Sequence, residues 1–308
     1  MLTFFCRRIG HSLLILLGVS FITYGLLYML PADPARQIAG RSASPEVVAS
    51  IRHQLGLDLP FYRQYLNYLG GLLHGDLGRS FVQRTKVSDL VLSRLAPSLQ
   101  LMGIGIAFEL LIGLGLGIVA ALKRNTFLDR VLMAFSFVGV STPQFIAAML
   151  FLYVFVVLLG WFPMGGYGGP RHVLLPGLTL GLLGAGWYSR MVRSSMIEVL
   201  QQDFIRTARA KGLSRTQVVF RHVLPNAIIP VIPMIGIDIG LFMSGLVVVE
   251  SVFGWPGIGQ LAWQAIQQVD IPVIVGVTTV SAVAIVLGNL LADLLIPFID
   301  HRIDIKKH

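Results

Sequence analysis

Six stretches of this chain are long and apolar enough to cross a bilayer, and no other property narrows its fold so far. They run roughly from Ile9 to Leu30, Ser98 to Leu122, Val131 to Gly160, Val173 to Tyr188, Asn226 to Val249 and Pro272 to Pro297. A hydrocarbon core takes about 20 residues of helix; the fourth stretch, short and Gly-rich, is the weakest of the set. Inside lipid, backbone N–H and C=O groups must find partners within the protein, so the stretches predict an all-α polytopic membrane protein with six transmembrane helices. Of 308 residues, 55% are hydrophobic and 13% charged, against about 45–50% and 25% in soluble proteins. That balance argues against a water-soluble fold.

Charge sets the orientation, because short loops rich in Lys and Arg stay in the cytoplasm. Arg7 and Arg8, then Lys123, Arg124 and Arg130, then seven basic residues between the fourth and fifth stretches, then Arg302, Lys306 and Lys307 place 15 on one side. The two short loops opposite hold only Arg171. Both termini are therefore expected in the cytoplasm, with residues 31–97 as a periplasmic loop; loops of that length translocate largely regardless of charge. The net charge of +9 is then mostly topological, and no nucleic-acid partner is expected. Arg7-Arg8 before an apolar run resembles a signal peptide, but the run is too long and no small-x-small cleavage site closes it, so an uncleaved first helix is expected. Cys6 is the only cysteine; no intrachain disulfide can form.

Ser44-Pro45-Glu46 reads as an N-cap with Pro in the first turn of a short helix in the outer loop. A second helix is expected from about Pro60 to Leu73, with Phe61, Tyr65, Tyr68 and Leu72 as an apolar stripe, ended by His74-Gly-Asp-Leu-Gly78. Gly236, Gly240 and Ser244 fall on one face of the fifth stretch, and Gly113 with Gly117 repeats that spacing in the second: both predict close helix packing. Pro143, Pro230 and Pro233 are expected to kink or re-aim their helices.

Between the fourth and fifth stretches lies Asp203-Phe-Ile-Arg-Thr-Ala-Arg-Ala-Lys-Gly-Leu-Ser-Arg-Thr-Gln-Val-Val-Phe-Arg-His-Val-Leu-Pro225. Asp203 is placed to cap a helix, Gly212 to close it in the left-handed conformation, and Ser214 to Gln217 to open a second helix with a capping box. Pro225 either ends that helix or opens the next span. Small Ala208, Ala210 and Gly212 allow close approach of another surface, while Arg206, Arg209, Lys211, Arg215 and Arg221 make the segment cationic. It suits docking onto a partner protein at the membrane surface. A plain positive-inside loop is the simpler reading, and a DNA-reading helix-turn-helix shares the same pattern but would lack freedom to enter a groove between two membrane spans.

Arg206-Thr207-Ala208, then Gly212, then Leu224-Pro225, resembles the cytoplasmic coupling loop of ABC-importer permeases, whose pattern is Glu-Ala-Ala, Gly and Leu-Pro. Arg206 stands for the Glu, so a Glu there is not required by the coupling reading. Arg206 to Gly212 is similar to the dipeptide, oligopeptide and nickel branch, first permease subunit type, as is Glu250-Ser-Val-Phe-Gly-Trp-Pro-Gly-Ile-Gly259. The likeness continues through Asn289 to Asp293 and the tail Asp300 to Ile303, where His301 replaces a common Pro.

The resemblance implies a single permease domain over 1–308, with the type I importer permease fold, a helical periplasmic cap and a cytoplasmic coupling loop over 190–225. Coupling would fall to Arg206, Thr207, Ala208, Arg209, Ala210, Lys211, Gly212 and Leu213, with Leu224 and Pro225. The partners implied are a second homologous permease subunit, two ATP-binding subunits and a periplasmic or lipid-anchored solute-binding protein, in a bacterial inner membrane and in contact with its lipid. Cargo in the branch is di- and oligopeptides, nickel or its chelates, opines and glutathione; Gly165-Gly-Tyr-Gly-Gly169 has some flavour of the nickel members.

No Gly-x-x-x-x-Gly-Lys-Ser/Thr loop is present to cradle ATP phosphates. The chain is expected to bind no cofactor and to be no enzyme, with ATP and Mg on partner subunits. Its seven His residues form no close metal-motif pair. Carboxylates inside apolar spans are costly, which marks Glu109, Asp238 and Asp293. Asp238 either faces a translocation pathway, attracting an amino group or cationic chelate, or makes an interhelical hydrogen bond in a dry seam. Glu250 precedes a Gly- and Pro-rich segment expected to turn or re-enter the bundle, and is either a structural carboxylate or a pathway ligand. Two rival classes remain: a secondary transporter, which should show more spans and an inverted repeat, and a membrane protein using the basic loop only for docking.

Overall fold

The computed structural model describes residues 2–29, 33–40, 42–243 and 246–299, and these are helical, with one isolated bridge between Arg79 and Lys86 in place of any sheet. The tail motif from Asp300, Ser244, and the side chain of Asp293 lie outside the described residues. In chain order come α1 (Leu2–Tyr28), α2 (Pro34–Ala39), α3 (Pro45–Gln54), α4 (Phe61–Leu73), α5 (Val87–Leu122), α6 (Phe127–Ser141) and α7 (Gln144–Phe151), the last continued by a π-helical stretch Leu152–Leu158. Then follow α8 (Pro170–Val199), α9 (Asp203–Ala210), α10 (Arg215–Val218), a π-helical stretch Val219–Val223, α11 (Leu224–Ala227), α12 (Val231–Met243), α13 (Val247–Val252), α14 (Ile258–Gln268) and α15 (Ile271–Ile299).

Among the described residues, three single helices and two bent pairs are long and apolar enough to span a bilayer. The third expected span is broken: α6 and the α7 segment meet at 104°, where Thr142 and Pro143 are extended and Pro143 has no N–H to continue the ladder. The fifth is bent by 51° ahead of α12, at the Pro230 break. Pro233 is tolerated in the first turn of α12. The fourth expected span, α8, is not among these spanning helices, and it runs well past its apolar window. α8 has 30 residues because its polar C-terminal half stays helical, with Ser189 and Arg193 engaging α6 rather than water.

One compact unit takes its described residues from Met1–Ser98, Met243–Val247 and Pro256–Val286. Ser44 caps α3 as expected, accepting from Val47 N, and Asp33 caps α2, accepting from Ala35 N at 3.1 Å. The stripe on α4 meets α1 in an aromatic ladder: Tyr24 stacks on Tyr68 with ring centroids 5.3 Å apart, and Tyr28 meets Phe61 edge-on at 5.2 Å. Tyr68 Oη also bonds Thr279 Oγ1 on α15 at 2.6 Å. Asp270, just before α15, is buried and holds the hairpin at 79–86 by accepting from Ser80 Oγ and from the N–H groups of Phe81 and Val82.

The other unit takes its described residues from Leu99–Phe242, Val248–Trp255 and Leu287–His308. Its seams are made by small residues. A Cβ on Gly113 or Gly117 of α5 would run into Ala185, Tyr188, Ser189 or Val192 of α8, and one on Gly186 of α8 into Ser136 and Val140 of α6. Across the α6–α8 seam Ser189 Oγ donates to Ser136 Oγ at 2.7 Å, and Arg193 grips Asp129 through Nε and Nη2 at 2.7 and 2.8 Å. Asp129 also accepts from Asn125 N at 2.9 Å.

Candidate functional site

The basic segment is two short helices around a tight turn. α9 starts at Asp203 with Gln202 as its N-cap, and Asp203 makes no cap bond. The expected cap is thus one residue out, and the Asp203 carboxylate lies instead in the first turn, where the helix dipole favours it. Gly212 closes α9 at φ +79°, its N–H bonding Arg209 O at 3.0 Å. Ser214 then opens α10 with the expected capping box: its N–H donates to Gln217 Oε1 at 2.9 Å, while its Oγ accepts from Gln217 N at 3.3 Å. Pro225 sits in the first turn of α11. It therefore opens the continuation toward α12 rather than ending a helix.

The two faces of this element differ sharply. Ile205, Ala208, Val218, Val219 and Val223 are buried in one apolar cluster with Ala121 of α5 and Tyr188, Val192 and Met196 of α8. Arg206, Thr207, Arg209, Ala210, Lys211 and Arg215 are exposed, as are Phe204 and Phe220. Arg215 reaches back to donate to Leu122 O at 3.2 Å, satisfying a carbonyl at the end of α5 that the helix leaves open. Beside it a cavity of about 470 Å³ is lined by Leu122, Leu200, Arg209, Leu213, Arg215 and Val218 among others. The turn is fixed to the ends of two long helices by apolar burial, and what it presents outward is guanidinium, ammonium and two aromatic rings. Phe204 and Phe220 were not singled out in the sequence because an aromatic beside an apolar position reads as core; only the helical phase shows them facing away from it.

The membrane-level carboxylates come together in part. Tyr188 of α8, itself buried, donates its phenol to the Asp238 carboxylate of α12. The Glu109 carboxyl of α5 lies within hydrogen-bonding reach of Asp238. Glu109 is 3% exposed, and its Oε2 has no hydrogen-bond partner. A Cβ on Gly184 would overlap the Glu109 carboxyl, so the glycine leaves the space that the acid fills. Sequence marked both acids separately; neither their meeting nor the part of Tyr188 could be read, since all three lie on different helices.

Glu250 is elsewhere, 1% exposed in α13, and it has a polar partner of its own. The segment after it turns back as expected: Trp255 N bonds Glu250 O at 2.7 Å, and Gly166 N bonds Phe253 O at 2.8 Å. Gly165 packs so closely on the Phe253 carbonyl that a Cβ would clash. The Gly-rich stretch at 165–169 therefore has a packing reason for its composition.

An all-helical membrane bundle carrying a basic helix–turn–helix seated on its own core is the architecture of an ABC-importer permease subunit. The chain belongs to the family of binding-protein-dependent transport system inner membrane components: that family's model matches residues 113–305, and the model of the N-terminal part of such components matches residues 1–102. It is similar to the glutathione transport system permease protein GsiC of Escherichia coli (strain K12), 40% identical over 306 residues that cover 99% of this chain and 100% of the relative. GsiC of Salmonella typhi is 41% identical over 306 residues, with the same shares covered. Among solved structures, a chain of the MetNI methionine ABC transporter in an inward-facing conformation shares the fold, with a TM-score of 0.60 at 20% identity over 68% of this chain and 96% of that one. Relatives of this kind are transport subunits and not themselves enzymes.

Proposed function

We propose that the chain forms half of the translocation pathway of an importer for short peptides, glutathione-like solutes included, driven by ATP hydrolysis on two partner subunits. A second permease and a solute-binding protein complete the assembly. The peptide-like cargo rests on the similarity to GsiC, a glutathione transport permease, at 40% identity over the full relative. Coupling rests on one observation: the segment from Arg206 to Leu213, with Leu224 and Pro225, has its apolar side buried on α5 and α8 and its cationic side exposed. Closure of an ATPase pair against the exposed side would move the ends of those helices as rigid bodies. Purified binding protein should take up glutathione or a dipeptide in calorimetry, and the reconstituted complex should import the same solute. Binding of nickel alone, with no peptide bound, would overturn the peptide reading.

Residues 1–308 act as one permease domain, with 31–97 outside, 190–225 inside and both termini cytoplasmic. Reporter fusions at Lys307 and at Gly166 should therefore read cytoplasm and periplasm respectively. A periplasmic Lys307 would remove the coupling segment from the side where ATP is. Asp238 is assigned to the pathway and Glu250 to the structure. Asp238→Asn should keep the yield of assembled complex but change uptake rate or solute preference. Uptake identical to wild type across peptides and metal chelates would return Asp238 to a purely structural role.

A further inference from the structure

Three groups from three helices meet in the second unit: the Glu109 carboxyl, the Asp238 carboxyl and the Tyr188 phenol. None of the ion pairs among the described residues includes any of them. Two carboxyl groups in contact away from water cannot both ionise, because the second charge meets the field of the first and has no solvent to screen it. The Tyr188 proton is already committed to Asp238. That leaves the buried Oε2 of Glu109 without a hydrogen directed at it, and an unmet buried oxygen of this kind is costly. The trio is thus short of one positively polarised hydrogen, and carries one net negative charge once a single proton is shared.

A Ca²⁺ ion fits this poorly: it takes about six to eight oxygen ligands, more than two carboxyl groups and one phenol supply, and no group of three or more His, Cys, Asp or Glu comes together among the described residues. A primary ammonium fits better: it has one positive charge and three donors with no acceptor, facing lone pairs on Glu109, Asp238 and Tyr188. Asp238 is half-buried rather than sealed, so one side of the trio is reachable.

We propose that Glu109, Asp238 and Tyr188 form a site for one primary ammonium group of the transported solute, with the two carboxyl groups sharing one proton. This rests on the reading of Asp238 as a pathway residue, and narrows it to solutes with a free amino group.

The test uses the assembled complex in membrane vesicles and a hydrophobic carbodiimide, which adds to protonated buried carboxyl groups, with mass spectrometry reading modification at Glu109 and Asp238. Labelling at one of the two is expected in the absence of solute. Butylammonium should slow it several-fold, tetramethylammonium, which has charge but no N–H donors, should not, and in Glu109→Gln any label left on Asp238 should no longer respond to butylammonium. Equal labelling with and without butylammonium would overturn the ammonium site while leaving the pathway reading to stand or fall on Asp238→Asn uptake. Absence of label at both acids would overturn the proton-held pair. Protection by butylammonium together with unchanged uptake in Asp238→Asn would show an ammonium site off the pathway, and so overturn its assignment to the solute.

Discussion

Gly212→Val is expected to leave the membrane spans inserted and the solute-binding protein able to dock, yet to abolish uptake and solute-stimulated ATP hydrolysis together. The cause is backbone strain and not crowding. Gly212 stands at φ +79°, and nothing lies within 4 Å of where its Cβ would be, so a larger side chain has room but the wrong torsion. Holding a β-branched residue there costs roughly 1–3 kcal/mol, which the turn relieves by changing the angle between α9 and α10. Gly212→Asn, which tolerates the left-handed region better, should retain part of the coupling. The measurement is ATPase activity of the reconstituted complex with and without loaded binding protein. Normal stimulation in Gly212→Val would mean that this turn is not where force enters the permease.

Asp129→Ala should have the largest effect on assembly. The carboxylate is nearly fully buried, with a side chain 4% exposed. It is gripped by two guanidinium nitrogens of Arg193 and by Asn125 N. Its loss leaves the Arg193 guanidinium, whose side chain is 27% exposed, without its partner and frees the start of α6, for a cost of about 1–3 kcal/mol, less than a fully buried broken pair because water can reach the stranded charge. Yield after detergent extraction and the midpoint of thermal aggregation should both fall. In Asp129→Ala/Arg193→Met the loss should be smaller than the sum of the two single changes, because no charge is left stranded. Full additivity would show that the pair is not acting as a unit.

Much of this was legible in the sequence, for reasons that differ residue by residue. The turn at Gly212 and the cap at Ser214 could be read because local backbone chemistry alone decides them. The glycine spacing at Gly113 and Gly117 announced a seam, though not that α8 would fill it. The extent of α8 was not legible: Arg193 and Ser189 look like the end of a span until Asp129 and Ser136 supply their partners across the seam. The 104° bend at Pro143 exceeds what a proline imposes by itself, because Thr142 and Pro143 both leave the helical region and the break is completed by tertiary packing. The meeting of Glu109, Tyr188 and Asp238 was hidden for the same reason, since residues far apart in the chain announce nothing about each other.

The two-faced character of α9 and α10 has a consequence for how such a subunit can change over time. Ile205, Ala208, Val218 and Val223 are held in the permease's own interior, whereas Phe204, Arg206, Lys211 and Phe220 face outward, where the proposed coupling would have a partner dock. The two sets alternate along one short stretch of chain, yet substitutions among the exposed residues are expected to leave the packing of the buried ones untouched. Under the proposed coupling, a permease built this way could be handed to a different engine by rewriting only its outward-facing positions.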